Sequence, residues 1–223
     1  MPPRRWSPRA EIVSGGACRA RAGRGGVARG VVRFFLRVLL ERLGCEVSDL
    51  GIVPDKRDAT LAALKTAADH HDLILTSGGV SVGEEDHIKP AVQQLGSLDL
   101  WQIAMKPGKP FAYGTVRRDA GAGPGTAGHC HFIGLPGNPV SSFVTFLLLV
   151  RPFLLKLQGA AESVFLPPFK TRRLRADFDL PRADKRREFL RVRRNEAGGL
   201  DLFLNQSSGV LTSTVWADGL VDN

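Results

Sequence analysis

The sequence has little cysteine and no long hydrophobic run. Its three cysteines, Cys18, Cys45 and Cys130, form no C-x-x-C pair, and their odd number argues against a disulfide framework. The longest apolar run covers 140–150, which is 11 residues, whereas a helix that spans a bilayer needs about 20. The first 33 residues contain no apolar segment typical of a secretory signal. We therefore expect a cytoplasmic protein that has no membrane partner.

Acidic side chains are scarce only at the start of the chain. The 223 residues carry a net charge of +9, but residues 1–33 alone hold eight arginines and one acid, Glu11. The other 190 residues hold 23 basic and 21 acidic side chains. The main body therefore does not indicate a nucleic-acid partner, and DNA binding through the arginine-rich start remains an alternative. Since residues 1–33 show no period of 2 or 3.6, we expect an atypical segment that is disordered or mistranslated, with no face to bury.

From residue 34 onward the chain alternates between helical and extended patterns. Apolar spacing predicts helices at 34–43, 58–70, 86–95 and 139–157, and strands at 45–53, 73–76, 100–105, 111–116 and 131–135. This alternation predicts an α/β domain over 34–159, a three-layer fold in which helices cover both faces of a largely parallel sheet. Pro167-Pro168 marks a linker, and residues 160–223 then form a small β domain with strands at 172–178, 188–193 and 200–204.

The first motif is a buried strand that runs into a glycine turn and then into acids. Glycines in such a turn let backbone N–H groups approach an anionic or planar ligand. The carboxylates that follow are oxygen ligands suited to Mg²⁺. The alternative is a tight strand-to-helix turn in which Asp86 caps the next helix. The candidate residues are Ser77, Gly78, Gly79, Ser81, Gly83, Glu84 and Asp86.

Two further turns offer groups that suit an anion. In the turn 106–110 two prolines and a glycine hold Lys106 and Lys109 three residues apart, which suits an oxyanion or phosphate, although both lysines could face water instead. In the turn before the last long helix, Asn138 is expected to cap the helix and Pro139 to begin it. The first-turn N–H groups and the Ser141 or Ser142 hydroxyl would then face one anion site.

Histidines give a weaker signal. His129 and His131 alternate along a strand and could face one side, but no third metal ligand is close in sequence. The three turns, in contrast, are all expected at the carboxyl edge of one sheet. From the residues alone we expect a phosphorylated or oxyanionic small-molecule substrate, bound with Mg²⁺.

The three turns, in this order, resemble the molybdopterin molybdenumtransferase family, which includes bacterial MoeA and the gephyrin E domain. The matching text is TSGGVSVGEED at 76–86, AMKPGKPFAYG at 104–114 and GLPGNPVSSFVTF at 134–146. RREFLRVR at 186–193 and SSGVLTS at 207–213 look like the C-terminal β domain of that family.

The resemblance implies a reaction and a set of site residues. The reaction would insert molybdate into adenylylated molybdopterin and release AMP, with assistance from Mg²⁺. Lys106, Lys109 and Ser141 would hold the molybdate, with help from Arg187 and Ser208. Glu84 and Asp86 would serve the metal, and the turn at Pro136, Gly137, Asn138 and Pro139 would shape the cofactor-binding loop. The family also implies a homodimer.

The sequence departs from this family at its start. A TGDEL-like and a YDSN-like turn, which supply acids implicated in metal binding and activity, are missing from the text before Phe34. The expectation is therefore a fragment with doubtful activity, whose residues 1–33 come from a shifted reading frame or a wrong start. The alternatives are a non-catalytic molybdopterin-binding scaffold and a MogA-like molybdopterin adenylyltransferase.

Overall fold

The structure of the chain is a computed structural model, which describes residues 7–14, 25–54, 56–80, 87–119, 128–165, 171–180 and 185–223. The strands are β1 (Arg9–Ser14), β2 (Glu46–Ile52), β3 (Leu73–Ser77), β4 (Gly96–Trp101), β5 (Met105–Lys106), β6 (Ala112–Arg117), β7 (His129–Leu135), β8 (Arg187–Arg194), β9 (Leu200–Leu202) and β10 (Gly219–Asp222). The helices are α1 (Gly25–Arg42), α2 (Arg57–His70), α3 (Ile88–Leu95), α4 (Pro139–Thr145), a π-helical turn (Phe146–Val150), α5 (Arg151–Leu157), α6 (Glu162–Phe165) and α7 (Thr212–Trp216).

A six-stranded sheet forms the centre of the fold, in the order β2-β1-β3-β7-β6-β4. The first four of these strands run parallel, and β6 and β4 are antiparallel to their neighbours. β3 and β7 pair in register from Leu73 and His131 to Ser77 and Leu135, so both end at the same edge. The predicted largely parallel sheet is confirmed.

Helices cover both faces of this sheet. On one face, Leu36 and Leu40 of α1 pack with Val150 and Leu154 of the long helix Pro139–Leu157. On the other face Leu64 of α2 packs with Val92 of α3. All four leucines are at most 1% exposed, so each helix contributes an apolar stripe to one of two cores. The predicted three-layer α/β architecture is confirmed.

The start of the chain is built into this sheet. Within residues 1–33, β1 lies between β2 and β3, and Ala10 and Ile12 have no exposed surface. Helix α1 begins at Gly25, nine residues before the predicted start at Phe34. The expectation that residues 1–33 have no face to bury is therefore wrong for β1 and for Val32 of α1, which has no exposed surface. A strand inside a parallel sheet needs apolar residues on both faces, and a six-residue segment with Arg9 and Glu11 in it does not show that pattern.

The helix that begins at Pro139 continues without a break to Leu157 and is 19 residues long. By length and composition it is the one candidate membrane span in the described part of the chain, a test that core helices also pass. Phe146, Val150 and Leu154 pack it against the sheet and are at most 1% exposed. The predicted helix at 139–157 is confirmed; it is longer than the 11-residue apolar run because it continues through Arg151 and Pro152.

A second sheet joins the C-terminal residues to the α/β domain. Its order is β10-β8-β5, and β9 pairs with β8. Strand β5 leads into the turn at 106–110 of the α/β domain and pairs with β8 of the C-terminal domain. This sheet therefore contains strands from both domains. Met105, Val140, Val144 and Phe189 form a shared apolar cluster between them. The predicted C-terminal β domain is confirmed, although the predicted strand at 172–178 is only an isolated bridge between Ala176 and Leu200.

Candidate functional site

Two of the three predicted turns meet at the carboxyl edge of the central strands. The Gly78 N–H donates a 3.0 Å hydrogen bond to the Leu135 carbonyl, which ties the turn after β3 to the turn after β7. A Cβ added at Gly78 would lie 3.9 Å from the Gly137 Cα, which is ordinary contact. Glycine is favoured here by the backbone, since Gly78 and Gly79 have φ of 80° and 75°. Pro136 is buried between these turns, and Gly137 and Asn138 are exposed beside them.

Two hydroxyl groups at this edge are buried. Thr76 is fully buried and Ser77 is 1% exposed. Neither side-chain oxygen has a hydrogen-bond partner among the residues that the structure describes. An unsatisfied buried hydroxyl costs about 1–3 kcal/mol. Both groups lie at the end of a central strand beside a glycine turn, and they are candidates for hydrogen bonds to a polar ligand.

The donors at the start of helix α4 bind protein acceptors, whereas the sequence predicted that they would bind an anion. The Val140 N–H donates to the Ser208 carbonyl at 3.0 Å, and the Ser142 N–H donates to the Asn138 carbonyl at 2.9 Å. The Ser142 hydroxyl donates to the Pro136 carbonyl. The donors of Val140 and Ser142 therefore do not converge on one anion, because they already have protein acceptors. The alternative, an anion site at Ser141, stays a prediction.

Asn138 and Pro139 occupy the predicted first positions of this helix. The Asn138 side chain makes no capping hydrogen bond, and it remains exposed. The predicted side-chain cap is thus replaced by a backbone carbonyl from the C-terminal domain. Ser141, the predicted molybdate ligand, is 4% exposed in the first turn.

The turn from Lys106 to Pro110 packs against this helix. The Lys106–Pro107 bond is cis, and the Ile103 N–H donates to the Lys109 carbonyl at 3.0 Å. Gly108 has φ of 122°, and a Cβ there would lie 2.5 Å from the Thr145 Cγ2 atom. The turn is therefore packed closely against α4, with the Lys109 side chain exposed.

Lys106 carries a partner that the sequence did not indicate. Its Nζ lies 2.9 Å from Oε1 of Glu188 in β8, and the two side chains are 40% and 9% exposed. Of the two lysines expected to act alike, Lys106 is therefore paired with a buried carboxylate, whereas the Lys109 side chain is exposed. Glu188 is the main site residue missed from sequence, because its link to Lys106 depends on the docking of a distant strand.

Arg187 and Ser208 come from the C-terminal domain. The exposed Arg187 guanidinium forms an ion pair with Asp222 and lies 5.5 Å from the Phe189 ring centroid. The Arg187 N–H donates to the Ala104 carbonyl at 3.0 Å, just before the lysine turn. Ser208 is half-buried, and its carbonyl caps α4. Both residues thus reach the predicted site through backbone contacts.

Four predicted residues, Ser81, Gly83, Glu84 and Asp86, lie outside the described residues. Among the residues that the structure describes, no group of three or more His, Cys, Asp or Glu side chains could hold a metal ion. The described residues alone thus do not form a magnesium site, and magnesium binding at Glu84 and Asp86 stays a prediction.

The two strand histidines face the same side, as expected. Their ring centroids are 5.4 Å apart, and the Tyr113 hydroxyl lies 3.1 Å from Nδ1 of His131. Burial lowers the pKa of His131. This cluster packs against Phe153, which favours a structural role on the helical face.

The combination of a doubly covered parallel sheet, two joined glycine turns and a docked β domain defines a class of ligand-binding α/β protein. A family model described as "Probable molybdopterin binding domain" matches residues 30–156, and one described as "MoeA C-terminal region (domain IV)" matches 173–222. The chain therefore belongs to the molybdopterin molybdenumtransferase (MoeA and gephyrin) family.

Individual relatives agree with this assignment. The chain is 45% identical over 137 residues to "Molybdopterin molybdenumtransferase" of Haemophilus influenzae, a match that covers 61% of this chain and 31% of that protein. It is 37% identical over 115 residues to "Gephyrin" of Dictyostelium discoideum, covering 49% of this chain and 16% of that protein. The chain thus spans less than a third of the length of these two relatives.

A solved structure supports the fold. A molybdenum cofactor biosynthesis protein from Pyrococcus furiosus superposes with a TM-score of 0.65 at 22% identity. The match covers 98% of this chain and 62% of that one. At this identity the likeness shows the shared fold.

Proposed function

We propose that the chain acts in molybdenum cofactor biosynthesis and inserts molybdate into adenylylated molybdopterin, with release of AMP. The observation that carries this proposal is the meeting of the Gly78 and Gly137 turns beside two unsatisfied hydroxyl groups, Thr76 and Ser77. The name of the Haemophilus influenzae relative, "Molybdopterin molybdenumtransferase", supports the same chemistry.

The glycine turns are assigned to the molybdopterin end of the site. With φ of 80° and 75°, Gly78 and Gly79 form a turn whose backbone can approach a ligand closely. The Ser77 and Thr76 hydroxyls lie at the end of the same strand and have no partner among the described residues, so they would supply hydrogen bonds to the ligand. The exposed Asn138 adds an amide beside them.

Cationic groups are assigned to molybdate. Molybdate is a dianion, so ammonium groups and hydroxyl donors suit it. Lys109 is exposed on the turn, Lys106 lies at its start, and Ser141 is in the first turn of α4. The close packing of Gly108 against Thr145 holds the lysine turn next to this helix. Arg187 and Ser208 support the site through their contacts with Ala104 and Val140.

The test is a reconstitution with the purified chain. Adenylylated molybdopterin and molybdate are supplied, and AMP and molybdenum cofactor are measured together. Stoichiometric formation of both supports the proposal, and the Lys109→Met variant should lose at least about 10-fold in rate if one charged donor is lost from the transition state. Lys65→Met is the control, because Lys65 is an exposed lysine in helix α2 that has no proposed role at the site.

Other outcomes identify the alternatives. Binding of molybdopterin without AMP release indicates a non-catalytic scaffold. Adenylylation of molybdopterin from ATP without consumption of molybdate indicates an adenylyltransferase. Growth of a molybdenumtransferase-deficient strain on nitrate after expression of this chain would support activity in the cell.

A further inference from the structure

The ion pair between Lys106 and Glu188 joins the site to the C-terminal domain. Lys106 begins the lysine turn, and Glu188 lies in β8, with 2.9 Å between Nζ and Oε1. The carboxylate belongs to a side chain that is only 9% exposed, whereas the lysine side chain is 40% exposed. The buried partner is therefore the fixed one, and the lysine still reaches solvent.

Backbone contacts hold Glu188 in place on both sides. Lys106 and Glu188 are directly paired in the short parallel ladder between β5 and β8. The Glu188 N–H donates to the Asn223 carbonyl and the Asn223 N–H donates back, both at 2.9 Å. The apolar cluster of Met105 and Phe189 lies beside this ladder. The Glu188 carboxylate thus has little freedom to follow a moving lysine.

Two physical effects of this carboxylate oppose each other. Its negative charge repels an oxyanion, so by charge alone its removal would strengthen oxyanion binding. Its hydrogen bond, however, restricts the rotamers of an ammonium that sits on a flexible four-carbon stem. A fixed donor binds more tightly than a mobile one, because less conformational entropy is lost on binding.

We propose that Glu188 is a positioning residue, which holds the Lys106 ammonium in the orientation that binds the oxyanion. The inference rests on the proposed function, in which Lys106 contacts molybdate. It makes docking of the C-terminal domain a condition for a complete oxyanion site, since β8 supplies the carboxylate. The proposal requires that the positional effect outweigh the repulsion, and the sign of the change in affinity on removing the charge tests this.

Calorimetric titration of the full chain with sodium molybdate tests the sign of this effect. Glu188→Gln keeps the size of the side chain and removes its charge, and we expect molybdate affinity to fall by about 10-fold, as for residues in direct contact. In the Lys106→Met background the same substitution should change affinity by less than about 2-fold. Glu196→Gln, an exposed carboxylate in the turn after β8, is the matched control and should bind like the wild type.

Glu188→Asp separates position from charge. It keeps the carboxylate but shortens its reach, so a positioning role again predicts weaker binding, whereas a role in charge alone predicts wild-type affinity. Unchanged or tighter binding by Glu188→Gln overturns the proposal. So does an equal loss of affinity with and without Lys106. Circular dichroism of each variant confirms folding before titration.

A second measurement does not need molybdate. The Lys106 ammonium signal, identified in side-chain nitrogen NMR by its loss in Lys106→Met, should be sharp in the wild type and broadened in Glu188→Gln. An unchanged signal overturns the positioning role. A wild-type chain that binds no molybdate overturns the proposed function instead, and the NMR comparison then decides the role of Glu188 by itself.

Discussion

Glu11 and His71 contact each other inside the fold, with 3.3 Å between the carboxylate Oε2 and the imidazole Nε2. Nδ1 of His71 lies 3.0 Å from the Ala67 carbonyl, which can only accept, so Nδ1 carries a proton. Ser48 Oγ lies 2.9 Å from Nε2, and the Leu50 N–H donates to Glu11 at 2.8 Å. The pair therefore links β1 to β2 and to the end of α2.

This pair predicts a pH dependence of stability. Burial raises the pKa of Glu11 from 4.5 to about 7, with a further contribution from Asp49, and burial lowers the pKa of His71. Both shifts favour the neutral forms. Because the folded chain holds the Glu11 proton more tightly than the unfolded chain, this stabilisation is complete below about pH 4.5 and is lost as the pH rises through about 7.

Glu11→Gln should remove the loss of stability that occurs as the pH rises through about 7. Between about pH 5 and pH 8 the wild type should lose about 1–3 kcal/mol more unfolding free energy than the variant. Urea unfolding followed by circular dichroism measures the difference. Glu46→Gln, an exposed carboxylate on β2, should retain the wild-type slope, and a parallel slope in Glu11→Gln would contradict the assignment.

Gly108 should tolerate alanine far less well than Gly44. Both have positive φ, 122° and 82°, so both pay a backbone cost of about 1–2 kcal/mol as alanine. A Cβ at Gly108 would also meet Thr145 at 2.5 Å, whereas nothing lies within 4 Å at Gly44. Gly108→Ala should therefore lose about 1–3 kcal/mol more in chemical denaturation. Equal losses would show that the lysine turn is not packed as described.

The hydroxyl of Ser77 should matter for the ligand and not for stability. Since it has no partner among the described residues, Ser77→Ala should leave the unfolding free energy unchanged or raise it by about 1 kcal/mol. Molybdopterin affinity should fall by about 5- to 10-fold if the hydroxyl bonds the ligand. Ser142→Ala is the counterpart, because it removes a bond to Pro136 and should destabilise the chain itself.

Arg191 is a buried guanidinium that forms no ion pair among the described residues. It is 1% exposed, its Nε and Nη1 donate to Ser213 and to the Phe189 carbonyl, and Nη2 has no acceptor in the described part of the chain. Burial lowers its pKa, and the charge of Glu188 opposes this shift in part. Arg191→Met should therefore be neutral or stabilise the chain by up to about 3 kcal/mol. Thermal unfolding tests this, with the exposed Arg193→Met as control, and a clear loss of stability would contradict it.

The sequence predicted the parts of the fold that depend on local patterns. Regular apolar spacing placed α2 and β3, and the rule that parallel strands end at one edge brought Gly78 and Gly137 together. β1 was missed because Glu11 is satisfied by His71, which lies far along the chain. The Ser208 cap and the Glu188 partner were missed for the same reason, since both arise only when the C-terminal domain docks.

The carbonyl of Ser208 that caps the Val140 N–H has a consequence for the order of assembly. On the ribosome the helix that begins at Pro139 emerges before residue 208, so this cap forms only after residue 208 has also been released. The ion pair of Lys106 likewise forms only after Glu188 has emerged. A nascent chain can therefore complete its central sheet before it acquires the contacts that hold the lysine turn and the start of α4.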